Sequence, residues 1–210
     1  MTGVQRQVED VLRGRPSARS WWLVVACGLS YGAVMGSFAG RPAQAAISAV
    51  KVPLLLLATV GLSLPSFFVL NTLMGVRGDF AAVLRGLIAS QAGLTIILVA
   101  LAPLTAFWYA SSSSYRAAIL FNAAMFAVAS AGSQWLLRRA YRPLIARNAR
   151  HRWLLRTWLV LYAFIGIQMG WMLRPFIGAA DQPVQFFRSD VWDNAYVIVA
   201  RMIWEVLARK

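Results

Sequence analysis

The chain has 210 residues and a formal charge of +14, with 60% hydrophobic and only 13% charged residues. A soluble domain carries about 25% charged residues, so lipid is the expected solvent for most of this chain, in keeping with its mean hydropathy of +0.61. The arginines lie between apolar runs and read as topology signals rather than a nucleic-acid footprint, and a single cysteine, Cys27, excludes an intrachain disulfide framework or a cysteine metal cluster.

Residues 2–13 have the pattern of a short amphipathic helix. Thr2 and Gln5 have capping-box spacing, Val4, Val8, Val11 and Leu12 share a face, and Gly14 and Pro16 end it. Arg6, Arg13, Arg15 and Arg19 suit an anionic membrane surface. The first membrane span follows at about 21–40, with Trp21 and Trp22 at headgroup level. Gly28, Gly32, Gly36 and Gly40 recur every fourth residue there. In water they would weaken a helix, but in lipid they clear one ridge for close approach of a neighbour. A basic start followed by Ala43-Gln44-Ala45 also has signal-peptide features, although the apolar run is long for one.

Residues 41–51 read as a short connection ending in Lys51, and the second span as about 52–74. Pro53 falls in its first turn, where no backbone bond is lost, and Pro65 is an internal kink. Asn71 either bonds a neighbouring helix or caps the exit towards Gly75. After a segment carrying Arg77, Asp79 and Arg85, the third span covers about 87–109, with Gln91 near its start, Pro103 near its end and an aromatic belt at Trp108 and Tyr109. The brevity of Ser111–Ser114 makes the third and fourth spans antiparallel neighbours. In the fourth span, about 115–137, Asn122, Ser130 and Gln134 lie near Ala123, Ala127 and Ala131, either as a close helix contact or as a polar lining.

Residues 138–152 form a basic loop with Arg138, Arg139, Arg142, Arg147, Arg150 and Arg152, in which His151 reads as a surface residue. The fifth span, about 153–173, has Arg156 positioned to snorkel, and Gly166 and Gly170 flank Gln168. Their small-xxx-small spacing makes this span the candidate partner of the first glycine seam. Arg174-Pro175 ends it. The loop Arg174–Arg188 contains Asp181, Phe176, Phe186 and Phe187 and is a candidate contact segment; the tail at 190–208 is again amphipathic.

The resulting fold class is an all-α integral membrane protein, a five-helix transmembrane bundle with short amphipathic N- and C-terminal helices. Its regions are 1–20, the bundle at 21–178, and an external loop and tail at 179–210. Basic residues concentrate beside the N-terminus and at 77–85 and 138–156, which places the N-terminus in the cytoplasm and the C-terminus outside.

Several runs carry a resemblance: Tyr31-Gly32-Ala33-Val34-Met35-Gly36-Ser37, Lys51-Val52-Pro53, Leu64-Pro65, Val69-Leu70-Asn71 and Gly75. Later come Gln168-Met169-Gly170-Trp171-Met172-Leu173-Arg174-Pro175-Phe176-Ile177-Gly178 and Phe186-Phe187-Arg188. Over about 30–190 the chain resembles an uncharacterised family of small bacterial integral membrane proteins, which implies an inner-membrane location. Some members are labelled actin-binding, but no basic Leu-Lys-Lys-Thr-like stretch occurs here. By architecture alone the chain is also similar to Yip-type five-span proteins, which recruit partners or shape membranes.

No Asp, Glu, Lys or His falls at the centre of a span, no Gly-x-Ser-x-Gly elbow occurs, and the glycine spacing suits helix packing rather than a phosphate loop. The expectation is a non-enzymatic scaffold or partner-binding subunit with no catalytic, cofactor or metal residues. Its partners are anionic membrane lipids and a protein or second copy at the glycine seam, and not nucleic acid. One alternative is a small permease lined by Gln91, Asn122, Gln134 and Gln168. Another is a lipid-headgroup enzyme using Arg174, the arginine loop and Asp181.

Overall fold

The computed structural model describes residues 3–12, 20–178 and 183–187. The tail at 190–208, Asp181, Arg188 and Arg13, Arg15 and Arg19 lie outside the described residues. Six α-helices are described: α1 (Gly3–Leu12), α2 (Ser20–Gly36), α3 (Pro42–Leu73), α4 (Phe80–Ser111), α5 (Tyr115–Arg147) and α6 (Arg150–Met172). No strand occurs among the described residues. The helices α3, α4, α5 and α6 are long and apolar enough to cross a membrane, whereas α2 has 17 residues. At 1.5 Å per residue, α2 is about 25 Å long, just short of the roughly 30 Å of bilayer hydrocarbon.

Helix α2 lies between α3 and α4, α5 packs on α4, and α6 packs on α3 and more sparsely on α5. Two apolar clusters stack along the bundle. One gathers Tyr31, Met35, Phe38, Leu98 and Met125; the other gathers Phe67, Leu87, Leu137, Tyr141 and Trp158. The turns at 37–41 and 112–114 and the chain after α6 share one end, which we call the strap end. The turns at 74–79 and 148–149 share the other, the arginine end.

The depth of α2 follows from one bond: Tyr109 Oη donates to the Met35 carbonyl at 3.0 Å. Ser20 precedes Met35 by 15 residues (35 − 20), so it is level with Leu94 (109 − 15) if the helices run together. Helix α4 begins at Phe80, 14 residues below that level (94 − 80). Thus α2 starts part-way along the bundle, and α1, with Val11 fully buried, packs on α4.

Three expected boundaries are corrected. Residues 42–51 are not a connection but the first turns of α3. Ala39 (φ 60°) and Gly40 (φ 67°) turn the chain through the left-handed region, Arg41 is extended, and Pro42 starts the helix where its missing N–H costs nothing. Ala43, Ala45 and Ala46 then propagate it. Pro53 consequently stands well inside α3 rather than in its first turn. The basic loop at 138–152 is likewise helical. Helix α5 runs through Pro143 to Arg147, α6 starts at Arg150, and only Asn148 and Ala149 link them.

His151 is also not a surface residue. It is fully buried, and its Nε2 lies 3.0 Å from Asp79 Oδ2. Nearby, Arg150 Nη1 donates to the Met74 carbonyl at 2.9 Å. These two contacts tie the α3–α4 turn to the start of α6.

Candidate functional site

The glycine seam meets α3, not α6. A β-carbon at Gly36 would stand 2.6 Å from the Gln44 carbonyl oxygen, and one at Gly32 would stand 2.8 Å from Ala49 Cα. One at Gly28 would lie 3.1 Å from Pro53 Cβ. The seam is thus filled within the chain, which corrects its expected use for a partner or second copy. Gly40 is in the turn, with nothing within 4 Å of its added β-carbon, and so does not belong to the seam. Gly166 faces Thr59 of α3 at 3.5 Å, whereas Gly170 is open.

Close approach of α2 brings a polar stripe of α3 beneath the chain that follows α6. Gln44, Ser48 and Lys51 are spaced i, i+4, i+7, on one helix face, and all three are fully buried. Gln44 Nε2 donates to the Phe176 carbonyl at 3.2 Å, Ser48 Oγ donates to the same carbonyl, and Lys51 Nζ donates to the Pro175 carbonyl at 2.7 Å. Lys51 Nζ also lies 5.1 Å from the Phe186 ring centroid and 6.0 Å from that of Phe176, the geometry of a cation over aromatic faces. The expected contact loop from Arg174 onward is therefore a strap folded back on α3. Sequence reasoning missed this stripe because the apolar run begins at Val52; the signal was the helical spacing of three polar residues among alanines.

Beside the strap, a cavity of about 570 Å³ opens between α2, α3 and α5. Met35, Leu55, Ile119, Phe126 and Ile177 are apolar walls, and Asn122 and Arg174 are its main polar members. Asn122 is a buried hub. Its Oδ1 accepts from Tyr31 Oη at 3.0 Å, and its Nδ2 donates to Tyr109 Oη at 2.6 Å and the Ala118 carbonyl at 2.8 Å. The Arg174 guanidinium lies 3.3 Å above the Trp171 ring, and its Nε donates to the Trp171 carbonyl at 3.2 Å. Tyr115 Oη donates to the Ile177 carbonyl at 3.3 Å, fixing the strap to α5.

The remaining polar residues of the long helices are dispersed. Asn71 is buried and bonds back to the Phe67 carbonyl of its own helix at 2.8 Å, so its side chain neither bridges helices nor caps the exit. Gln91 Oε1 accepts from Tyr162 Oη of α6 at 2.9 Å. Gln134 and Gln168 are half-buried, on α5 and α6 respectively. Ser90 and Ser133, 3.0 Å apart, join α4 to α5. Of the four residues expected to line a solute path, only Asn122 reaches the cavity.

Arg138, Arg139, Arg142, Arg147, Arg150 and Arg152 are all exposed at the arginine end. Arg174 is at the opposite end of α6, about 30 Å away by helix rise. The arginine cluster and Arg174 therefore do not converge on one headgroup. Comparison with known proteins finds no matching family model, no matching curated protein and no matching solved structure.

Replacing Lys51 by methionine removes the strap's charge-assisted bond while keeping the bulk of the side chain. The expected loss is about 1–2 kcal/mol of local stability, roughly tenfold faster amide exchange at 176–178 and 184–187 with little change at 86–98. Exchange measured by mass spectrometry checks this; unchanged protection of these two segments would show that the lysine does not hold the strap.

Proposed function

We propose that this chain is a non-enzymatic, five-span protein of a bacterial inner membrane, acting as a scaffold or partner-binding subunit. Helix α2, buttressed by α1, is the short fifth crossing. The N-terminus is cytoplasmic and the strap end external. Membership of the small bacterial membrane-protein family suggested by the Gln168–Gly178 run belongs to the same proposal.

The observation that carries the reading is how the polar side chains are used. Asn122 with Tyr31 and Tyr109, Gln91 with Tyr162, and Ser90 with Ser133 form separate helix-to-helix contacts, the first near the strap end and the other two from adjacent residues of α4 to two different helices. Such pairs hold helices together; they do not align reacting groups or line a common path. Charge distribution supports the orientation. Arg77, Arg85, Arg138, Arg139, Arg142, Arg147, Arg150, Arg152 and Arg156 lie towards the arginine end, against Arg41, Lys51, Arg116 and Arg174 towards the strap end. The exposed arginine collar is the contact surface, presented to anionic lipid headgroups or to an acidic cytoplasmic partner.

The test is native gel migration and mass spectrometry of the protein extracted with its surrounding membrane. The expected result is a stoichiometric complex that disappears when the six arginines from Arg138 to Arg152 are replaced by glutamine. A solitary protein whose size and lipid content the sixfold variant does not change would contradict the scaffold reading.

A further inference from the structure

The cavity beside the strap has no part in the scaffold reading, yet it is a built feature of that end. Its walls are apolar, and the Asn122 side chain and the Tyr115 hydroxyl already have bonding partners in Tyr31, Tyr109 and the Ile177 carbonyl. A polar solute would find little to replace its water. An apolar chain would find a volume of about 570 Å³, within the usual range for a small-molecule site. The opening is lateral: Ile119 and Ala123 line the cavity and are also exposed on the flank of α5. In a membrane that flank faces lipid. Trp108, Tyr109, Tyr115 and Trp171 surround this end, as aromatic residues do at the headgroup level.

Among the described lining residues, the charged one is Arg174. Its guanidinium is stacked on Trp171 and anchored through Nε, so its orientation is set by the fold. A guanidinium presents a planar fork of N–H donors that matches phosphate oxygens. We propose that the cavity is a phospholipid site of the external leaflet. One acyl chain lies between Met35, Leu55, Ile119 and Phe126, and the phosphate rests against Arg174. This rests on the reading of the chain as a membrane bundle with the strap end outside.

The experiment uses the full-length protein, stripped of lipid in mild detergent and then offered phosphatidylglycerol or diacylglycerol, with retained lipid counted by native mass spectrometry. Wild type is expected to retain one phosphatidylglycerol and to hold it at least tenfold better than diacylglycerol. Ala123→Trp, which fills the cavity from its open side, is expected to lose both. Arg174→Gln is expected to lose the preference but still to accept diacylglycerol. Ala127→Trp, one turn along α5 and outside the cavity lining, controls for the bulk of tryptophan and for folding; it is expected to behave as wild type. Equal retention by wild type and Ala123→Trp would overturn the site, and equal retention of the two lipids by wild type would overturn the phosphate contact. Should Ala123→Trp not fold, Ile119→Trp replaces it with the same expectations. Alkaline extraction of cell membranes, run alongside, separates the two failures. A chain released into the soluble fraction refutes the membrane reading, whereas a retained chain that binds no lipid refutes only the site.

Discussion

Replacing Gly36 by leucine is expected to destroy the folded bundle. The new β-carbon alone would stand 2.6 Å from the Gln44 carbonyl oxygen and 2.8 Å from Ala45 Cα. Both are backbone atoms of α3, so no rotamer change relieves the clash, and α2 must separate from α3. Overpacking a core costs about 1–3 kcal/mol when side chains can yield; here the expected cost is above about 3 kcal/mol, because a helix must move. Gly170→Leu is the internal control, since nothing lies within 4 Å of its added β-carbon. It is expected to change stability by less than about 0.5 kcal/mol. Thermal unfolding and size-exclusion profiles in detergent check the pair. A folded, monodisperse Gly36→Leu protein would show that the seam is not a close contact.

The second large effect is expected at Asn122. Asn122→Leu keeps the branching of the side chain but takes from the Tyr31 hydroxyl its acceptor, Asn122 Oδ1, leaving only the Thr105 side chain beside it, and removes the bond to Tyr109. Tyr109 still donates to the Met35 carbonyl. Helix-to-helix hydrogen bonds in membranes contribute about 0.6 kcal/mol on average and up to about 1.7, and a buried hydroxyl deprived of its acceptor adds about 1–3. The expected loss is therefore about 2 kcal/mol. Tyr31→Phe with Asn122→Leu is expected to lose less than the sum of the single changes, because that hydroxyl is gone. Strict additivity in the unfolding free energies would mean that the two residues do not act together.

Much of this arrangement was legible in local spacing, and what was not legible depended on partners distant in the chain. The four-residue glycine period marked a close helix contact, and three of its four glycines make one. Its partner was hidden because α3 begins ten residues before its apolar run, in a stretch of alanines, serine and glutamine that hydropathy does not score as membrane. Gly40 kept the period yet left the helix, since the left-handed φ values at Ala39 and Gly40 come from the sharp reversal into Pro42. The arginine cluster looked like a loop by composition, although arginine is a good helix former. Its end was set by the Asn148–Ala149 link rather than by the charges. His151 looked superficial beside Arg150 and Arg152; it is buried because Asp79, 72 residues away, meets it across the α3–α4 turn. Asn122 was visible as polar, but neither Tyr31 nor Tyr109 could be named as its partner from periodicity.

The central claim is five crossings, with the short α2 counted among them. It is tested most directly by labelling two single-cysteine variants in intact cells with a membrane-impermeant maleimide, in a Cys27→Ser background. Gln5→Cys reports the N-terminal helix and Ser113→Cys the exposed α4–α5 turn. The account predicts that Ser113→Cys reacts from outside, whereas Gln5→Cys reacts only after the cells are opened. Reaction of both from the same side would leave four crossings, with α2 entering and leaving at one face, and would contradict the account.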